Sequence, residues 1–236
     1  MLNSGNPSRP AAPGKPAEQS KHEIAYHRIR ERILDGRYGP GHRLVLSSLA
    51  RDLDVSPVPV REAIRRLEAE GLVTFERNVG ARVGRLDEEA WEQFVQMLAL
   101  LDGYAFACAH GRIPDAAIAE AQELNDRLRG GLDGTVGPEQ VMGVHRRFHR
   151  TIYRYSGNDY LVESLDRVWD RIDASRVLAS LYPAKRLVSA VDEHDQLLDR
   201  LRLTDGDPVV LERCARQHNL NTIIAIRGIG RVRALR

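Results

Sequence analysis

Cysteine is nearly absent. Cys108 and Cys214 are the only two in 236 residues, far apart and in no CxxC pattern, which points to a reducing compartment, the cytoplasm. Long hydrophobic runs are missing too. No stretch approaches the ~20 apolar residues of a membrane helix, and the N-terminus MLNSGNPSRPAAPGKPAEQS has no apolar core of the signal-peptide kind. Its Pro, Gly, Ser and Ala content marks residues 1–19 as a disordered arm. With Arg9 and Lys15 as its only basic residues, the arm lacks the charge to hold nucleic acid or lipid.

A dominant charge of one sign is also lacking, since the formal net charge is +2. Its distribution is uneven, however. Residues 20–86 carry 13 Lys/Arg against 9 Asp/Glu, whereas residues 87–218 carry 16 against 23. A basic front joined to an acidic body suggests that only the front meets a polyanion. The length and the 42% hydrophobic content suit one large or two modest globular domains.

The stretch SPVPVREAIRRLEAEGLV, residues 56–73, organises the front. Ser56 can cap a helix start with its hydroxyl. Pro57 and Pro59 fall in the first turn, where a missing N–H loses no helical bond. The helix stops at Gly71, suited to a left-handed cap. Val60, Ala63, Ile64 and Leu67 recur at helical spacing and form a buried face, leaving Arg61, Arg65, Arg66, Glu62 and Glu68 outside. A short capped helix with outward arginines fits a major groove. A solvated surface helix would read the same way, and the neighbours decide.

Before it, Ile24, Ile29, Ile33 and Leu34 stripe a helix ending near Gly36, and GRYGPG is a turn. Leu44 and Leu46 suit a short extended piece. SSLARDLDV is a second helix capped by Ser47 or Ser48, close enough to the next for a helix-turn-helix. After it, LVTFERNVGARV reads as a β-hairpin wing. Residues 20–85 are thus expected to form a winged helix-turn-helix.

The run from Gly36 to Val83 resembles the DNA-binding domain of the GntR family of bacterial transcription regulators. The PG turn, the LA of the second helix, VS-x-x-PVREA-x-x-RLE-x-EGLV and the G-A-x-V wing all match, over residues 24–83. The resemblance implies a recognition helix in the major groove of a double-stranded operator and a wing tip in the minor groove. It makes Arg61 a base or phosphate contact and Ser56 a phosphate contact. Gly80 would let the wing approach the DNA backbone, and Ser47, Ser48, Pro57, Val58, Arg65 and Arg82 complete the DNA-facing set. Surface solubility is the alternative for Arg65 and Arg82. Many relatives carry Arg where Pro57 stands and Thr where Val58 stands, so the operator sequence stays open.

From Arg85 to about His218 the pattern is helical throughout, predicting an all-α bundle of six helices over residues 86–220. The fold class is therefore mainly α, a winged helix-turn-helix with a small β-wing followed by this bundle. His145 and His149 share one face of the third bundle helix. His194 lies in line with Val188, Val191, Leu198 and Leu201 on the fifth, and His218 follows Val210 and Cys214 by steps of four on the sixth. One inward histidine is usually a satisfied core residue. Four on three helices are harder to dismiss, because a shared metal satisfies them all at once.

FHRTIYRYSGNDYL, EHDQLLDRL and DGDPVVLERCARQH resemble signatures of the FCD effector domain of the FadR-type subfamily. The resemblance covers residues 88–220 and implies a divalent metal on His145, His149, His194 and His218. The first ligand is more often Asp in relatives. His145 makes the site softer, favouring zinc, with nickel or another transition ion as the alternative. A second departure is Leu98, where many relatives have an arginine for the effector's carboxylate. An acid effector would then rely on the metal and on Arg171 or Arg176, unless these are simply solvated. Residues 221–236, NTIIAIRGIGRVRALR, could dock on the bundle, pair as a strand or fray as a basic tail.

The expectation is a homodimeric regulator, not an enzyme and with no membrane partner. A small organic acid, a carboxylate metabolite bound over metal, would control it, and the family resemblance favours repression. A metal sensor whose signal is the ion, and a helical metalloenzyme, are the rival readings.

Overall fold

The computed structural model describes residues 20–77, 79–131, 138–175, 184–203 and 205–234. The N-terminal arm and Arg176 lie outside these. The head comprises α1 (Lys21–Leu34), α2 (Leu46–Asp52), α3 (Pro57–Ala69), β1 (Val73–Glu76) and β2 (Gly80–Val83). The strands pair antiparallel from Val73↔Val83 to Glu76↔Gly80, giving the expected wing. Ile29, Ile33, Val60, Ile64, Leu67, Leu72 and Val83 close one small core.

Local expectations for α1 and α2 need correction. The buried face of α1 is Ala25, Tyr26, Ile29 and Ile33, with Ile24 exposed. Tyr26 is amphipathic, so an apolar stripe does not reveal it: its ring is buried under the Arg66 guanidinium while its hydroxyl donates to Glu70 at 2.9 Å. Ser47 and Ser48 do not cap α2. The chain stays extended while Arg43 bridges Arg82 and the Leu44 N–H bonds Ala81. Leu46 then opens the helix, with Val45 as the cap residue, so both serines fall inside the first turn. Asp54, in the turn to α3, takes φ 53°, a left-handed conformation that Asp tolerates better than most residues.

Behind the head stand α4 (Glu88–Ala109), α5 (Asp115–Gly130), α6 (Pro138–Tyr153), α7 (Asp159–Ser175), α8 (Ala184–Arg202) and α9 (Pro208–Ala234). The bundle is all-helical among the described residues. Helix α4 lies along α9, with α5 against α6 and α8, and α7 against α4. Gly103 permits the α4–α9 crossing, since a Cβ there would sit 2.9 Å from the Glu212 carbonyl oxygen and 3.2 Å from Arg216 Cβ. On α8 the inner face is Leu187, Ala190, Val191, His194, Leu198 and Leu201, whereas Val188 is exposed. Four of the five residues of the expected line are buried, and Leu187 takes the inward place expected of Val188. Residues 221–234 neither fray nor form a strand but continue α9. Thr222, Ile223 and Ile226 are buried at helical spacing, and Arg227 pairs with Glu92 on α4, Nε to Oε1 at 2.6 Å.

The two units meet along α7. Ala174 is buried in the head's core. Asp170, almost fully buried, pairs with Arg30 of α1 on one side. On the other it pairs with Arg146 of α6 at 2.8 Å.

Candidate DNA-reading face and histidine centre

Helix α3 buries Val60, Ala63, Ile64 and Leu67 and turns Arg61, Glu62, Arg65, Arg66 and Glu68 outward. Ser56 is the cap residue, with φ −71° and ψ 162°, yet its side chain makes no capping bond. A cap hydroxyl accepts from the second or third helical N–H, and Pro59 in the third place has none to give. The exposed Ser56 hydroxyl is therefore available to another partner. Pro57 and Val58 are exposed beside it. Arg61 has no hydrogen bond or ion pair among the described residues, whereas Arg65 pairs with Glu62 at 3.5 Å.

In the wing, Gly80 takes φ +98°, and a Cβ there would meet nothing within 4 Å. Its need for glycine is conformational, and the space in front of it is open. Arg82 is not a free cation. It donates to the Gly41 carbonyl at 2.8 Å and pairs with Glu76 at 3.0 Å, fastening the wing's base. Arg51 and Arg77, not singled out from sequence, are exposed without side-chain partners among the described residues.

The four histidines converge. His145 and His149 come from α6, His194 from α8 and His218 from α9, and all are nearly or fully buried. One nitrogen from each lies within 4.8 Å of all the others. Three rings are held from outside through Nδ1. His149 Nδ1 donates to Asp102 Oδ2 at 2.9 Å, His194 Nδ1 to Asn125 Oδ1 at 2.9 Å, and His218 Nδ1 to Glu193 Oε2 at 2.7 Å. These partners are held in turn. Asn219 donates to Asp102 at 2.9 Å, Asn125 to Asp195 at 2.8 Å, and Arg186 pairs with Glu193 at 2.8 Å.

With Nδ1–H committed, each Nε2 carries a lone pair. Nε2 of His194 and Nε2 of His218 lie 3.2 Å apart, so two lone pairs face each other across the centre. Nε2 of His149 is buried without a hydrogen-bond partner. Burial, then neighbouring histidines, push His145 and His194 well below the usual imidazole range. His218 is lowered by burial first, then by His149 and Arg186. Neutral rings with inward lone pairs are metal ligands in waiting, and outer carboxylate or amide acceptors are the usual support. An ion ~2.1 Å from each nitrogen spaces tetrahedral nitrogens about 3.4 Å apart, so the residues fit one small cation.

The expected effector residues do not gather here as a set. Leu98 is buried on α4 one turn before Asp102 and offers an apolar wall. Arg171 is outside the centre, its guanidinium over the Phe94 ring at 4.8 Å and against Gly71 of the head. Sequence reasoning missed Asp102, Asn125, Glu193's role, Arg186 and Asn219. The detectable signal was Asp102, an acid in line with Leu98, Ala105 and Ala109 on an apolar helix face.

A winged helix-turn-helix with an outward basic helix, joined to a helical domain around a polar centre, defines a DNA-binding regulator. The model for bacterial regulatory proteins of the gntR family matches residues 21–83, and that of the FCD domain matches residues 93–221. The chain belongs to the GntR family of transcription regulators with an FCD domain, and it is not an enzyme. McbR of Escherichia coli is 27% identical over 183 residues, covering 76% of this chain and 81% of its own. The "Probable D-xylose utilization operon transcriptional repressor" of Paenarthrobacter nicotinovorans is 30% identical over 196 residues, 79% and 80% of the two chains. The solved structure of E. coli McbR/YncC superposes with a TM-score of 0.73 at 24% identity, over 89% of this chain and 99% of that one. No helix among the described residues is long and apolar enough to cross a membrane.

Proposed function

We propose that the chain is a cytoplasmic repressor that binds a pseudo-palindromic operator as a homodimer and is released by a small organic acid held over a divalent metal. The observation that carries the metal is the convergence of four buried histidines, three with Nδ1 fixed by outer acceptors. The repressor reading is supported by the function that the D-xylose operon relative's name gives it. A second copy is supported by Met97, Leu100 and Tyr104, which are 40%, 50% and 52% exposed and line one outer face of α4. Ligand binding at the histidines reaches the head through Arg146, the residue after His145, and its ion pairs to Asp170 and on to Arg30. An effector that prefers one arrangement of this seam shifts the operator affinity.

In a mobility-shift assay Arg61→Ala should abolish sequence-specific binding, and unchanged operator affinity would remove α3 as the reader. Binding should also fall steeply with salt, as phosphate contacts require. Elemental analysis of purified protein should find about one transition-metal ion per chain, zinc being favoured by four nitrogens. Metal-free protein together with an unaltered melting point for His149→Ala would end the metal reading. The ligand count also supports a second reading. Four histidines close a tetrahedral ion, leaving no open position for an acid, and the ion is then itself the signal. Operator affinity that responds to zinc or nickel with no organic acid present would favour that sensor.

A further inference from the structure

We infer that Val58 reads the C5-methyl group of a pyrimidine in the operator half-site. The inference rests on α3 entering the major groove. The other apolar side chains of its middle, Val60, Ala63, Ile64 and Leu67, are at most 1% exposed, whereas Val58 is 67% exposed. A single exposed valine needs no explanation on most surfaces. This one stands in the first turn of a recognition helix, the part that meets base edges. It is three residues from Arg61, on the same face.

Val58 has neither donor nor acceptor, so hydrogen bonding cannot be its mode of reading. The apolar group that a base edge offers in the major groove is the C5-methyl of thymine, and 5-methylcytosine carries the same group. A β-branched side chain in a helix holds essentially one χ1 rotamer, so its two methyls are aimed without loss of freedom on binding. Three residues of helix advance about 4.5 Å, against about 3.4 Å per base along a strand. The Val58 base therefore lies one or two steps from the base that Arg61 contacts. The arrangement assigns neighbouring roles, a cation for polar acceptors and a methyl pair for a methyl.

The test begins with repeated selection of bound duplexes from a random library by the full-length protein. Each thymine of the selected half-site is then replaced singly by deoxyuridine, which removes only the methyl group. Wild-type protein should lose about fourfold in affinity at one position, the worth of one buried methyl group. Val58→Ala should bind the thymine and deoxyuridine duplexes at that position alike. Placing cytosine and then 5-methylcytosine there should restore affinity with the methylated base alone if the methyl itself is read. No sensitive position, or a deoxyuridine penalty undiminished in Val58→Ala, overturns the inference. If selection yields no sequence and Arg61→Ala binds random duplex as wild type does, the recognition-helix reading falls, and this inference with it.

Discussion

The guanidinium of Arg171, on α7, fills the space that a Cβ on Gly71 would need. Gly71 closes α3 at φ +73°, so the residue that ends α3 also docks the head on the bundle. Burial lowers the Arg171 pKa from its ordinary value, and the Phe94 ring lies beneath the cation.

Gly71→Ala should therefore destabilise the protein, by about 1–2 kcal/mol from the left-handed backbone alone. Denaturant unfolding of Gly71→Ala with and without Arg171→Ala separates the two causes. A flexible guanidinium can move aside more readily than a backbone can change φ. The penalty should therefore remain mostly intact in the double variant, and full recovery would assign it to the side-chain collision instead.

Asp102→Asn should keep the shape of the α4 partner of His149 while removing its charge. The expected result is a 10–100-fold weaker hold on zinc, the usual cost of losing an outer support, read by competition against a chromogenic chelator. Unchanged affinity would mean that His149 is oriented by packing against Phe106 and Phe148.

Metal-free protein should lose stability as the solution is acidified. Burial first, and other positive groups next, hold His145, His194 and His218 well below 6.5 in the folded chain. The unfolded chain takes up protons near pH 6.5, the folded one only at lower pH. Stability is therefore full above about pH 6.5 and falls below it, by up to about 1.4 kcal/mol per pH unit for each ring. Melting curves from pH 7.5 to 5 should show this slope, and added zinc, which binds the folded chain, should raise the melting temperature without moving the onset.

Asp170→Asn should leave Arg30 without its carboxylate, while Arg146 keeps Asp173 at 2.8 Å. Burial alone would lower Arg146, but Asp173 and Asp170 outweigh it and hold its pKa above the ordinary value. Loss of the shared charge should cost about 2–4 kcal/mol, near the range for a broken buried pair. If the seam couples the two units, calorimetry of the parent protein should show one transition and that of the variant separate head and bundle steps. A lone, merely shifted transition would show that Ala174 and Arg171 are sufficient to couple them.

The head was legible because its signals are local. Pro57, Gly71 and the Val60–Leu67 spacing lie within one helix, and the wing within one hairpin. The histidines were legible for a related reason, since His145 and His149 mark a face by spacing alone. Their supports were not: Asn125 and His194 are 69 residues apart and Asp102 and Asn219 are 117 apart. Only the packing of α5 on α8 and α4 on α9 brings them together. The position of Arg171 is not legible, because spacing leaves open which side of α7 meets which neighbour. The second half of α9 was ambiguous because Gly228 and Gly230 weaken helical propensity, while the burial of Ile223 and Ile226 that decides the matter is tertiary.

The order of synthesis gives α9 a further meaning. Domains fold as they are made, the N-terminal one first, and the winged head needs nothing from α9 to close its own core. The histidine centre is incomplete until His218 has been added, and α4 lacks its longest packing partner until then. A nascent chain can thus complete the winged head while the domain behind it is still being built.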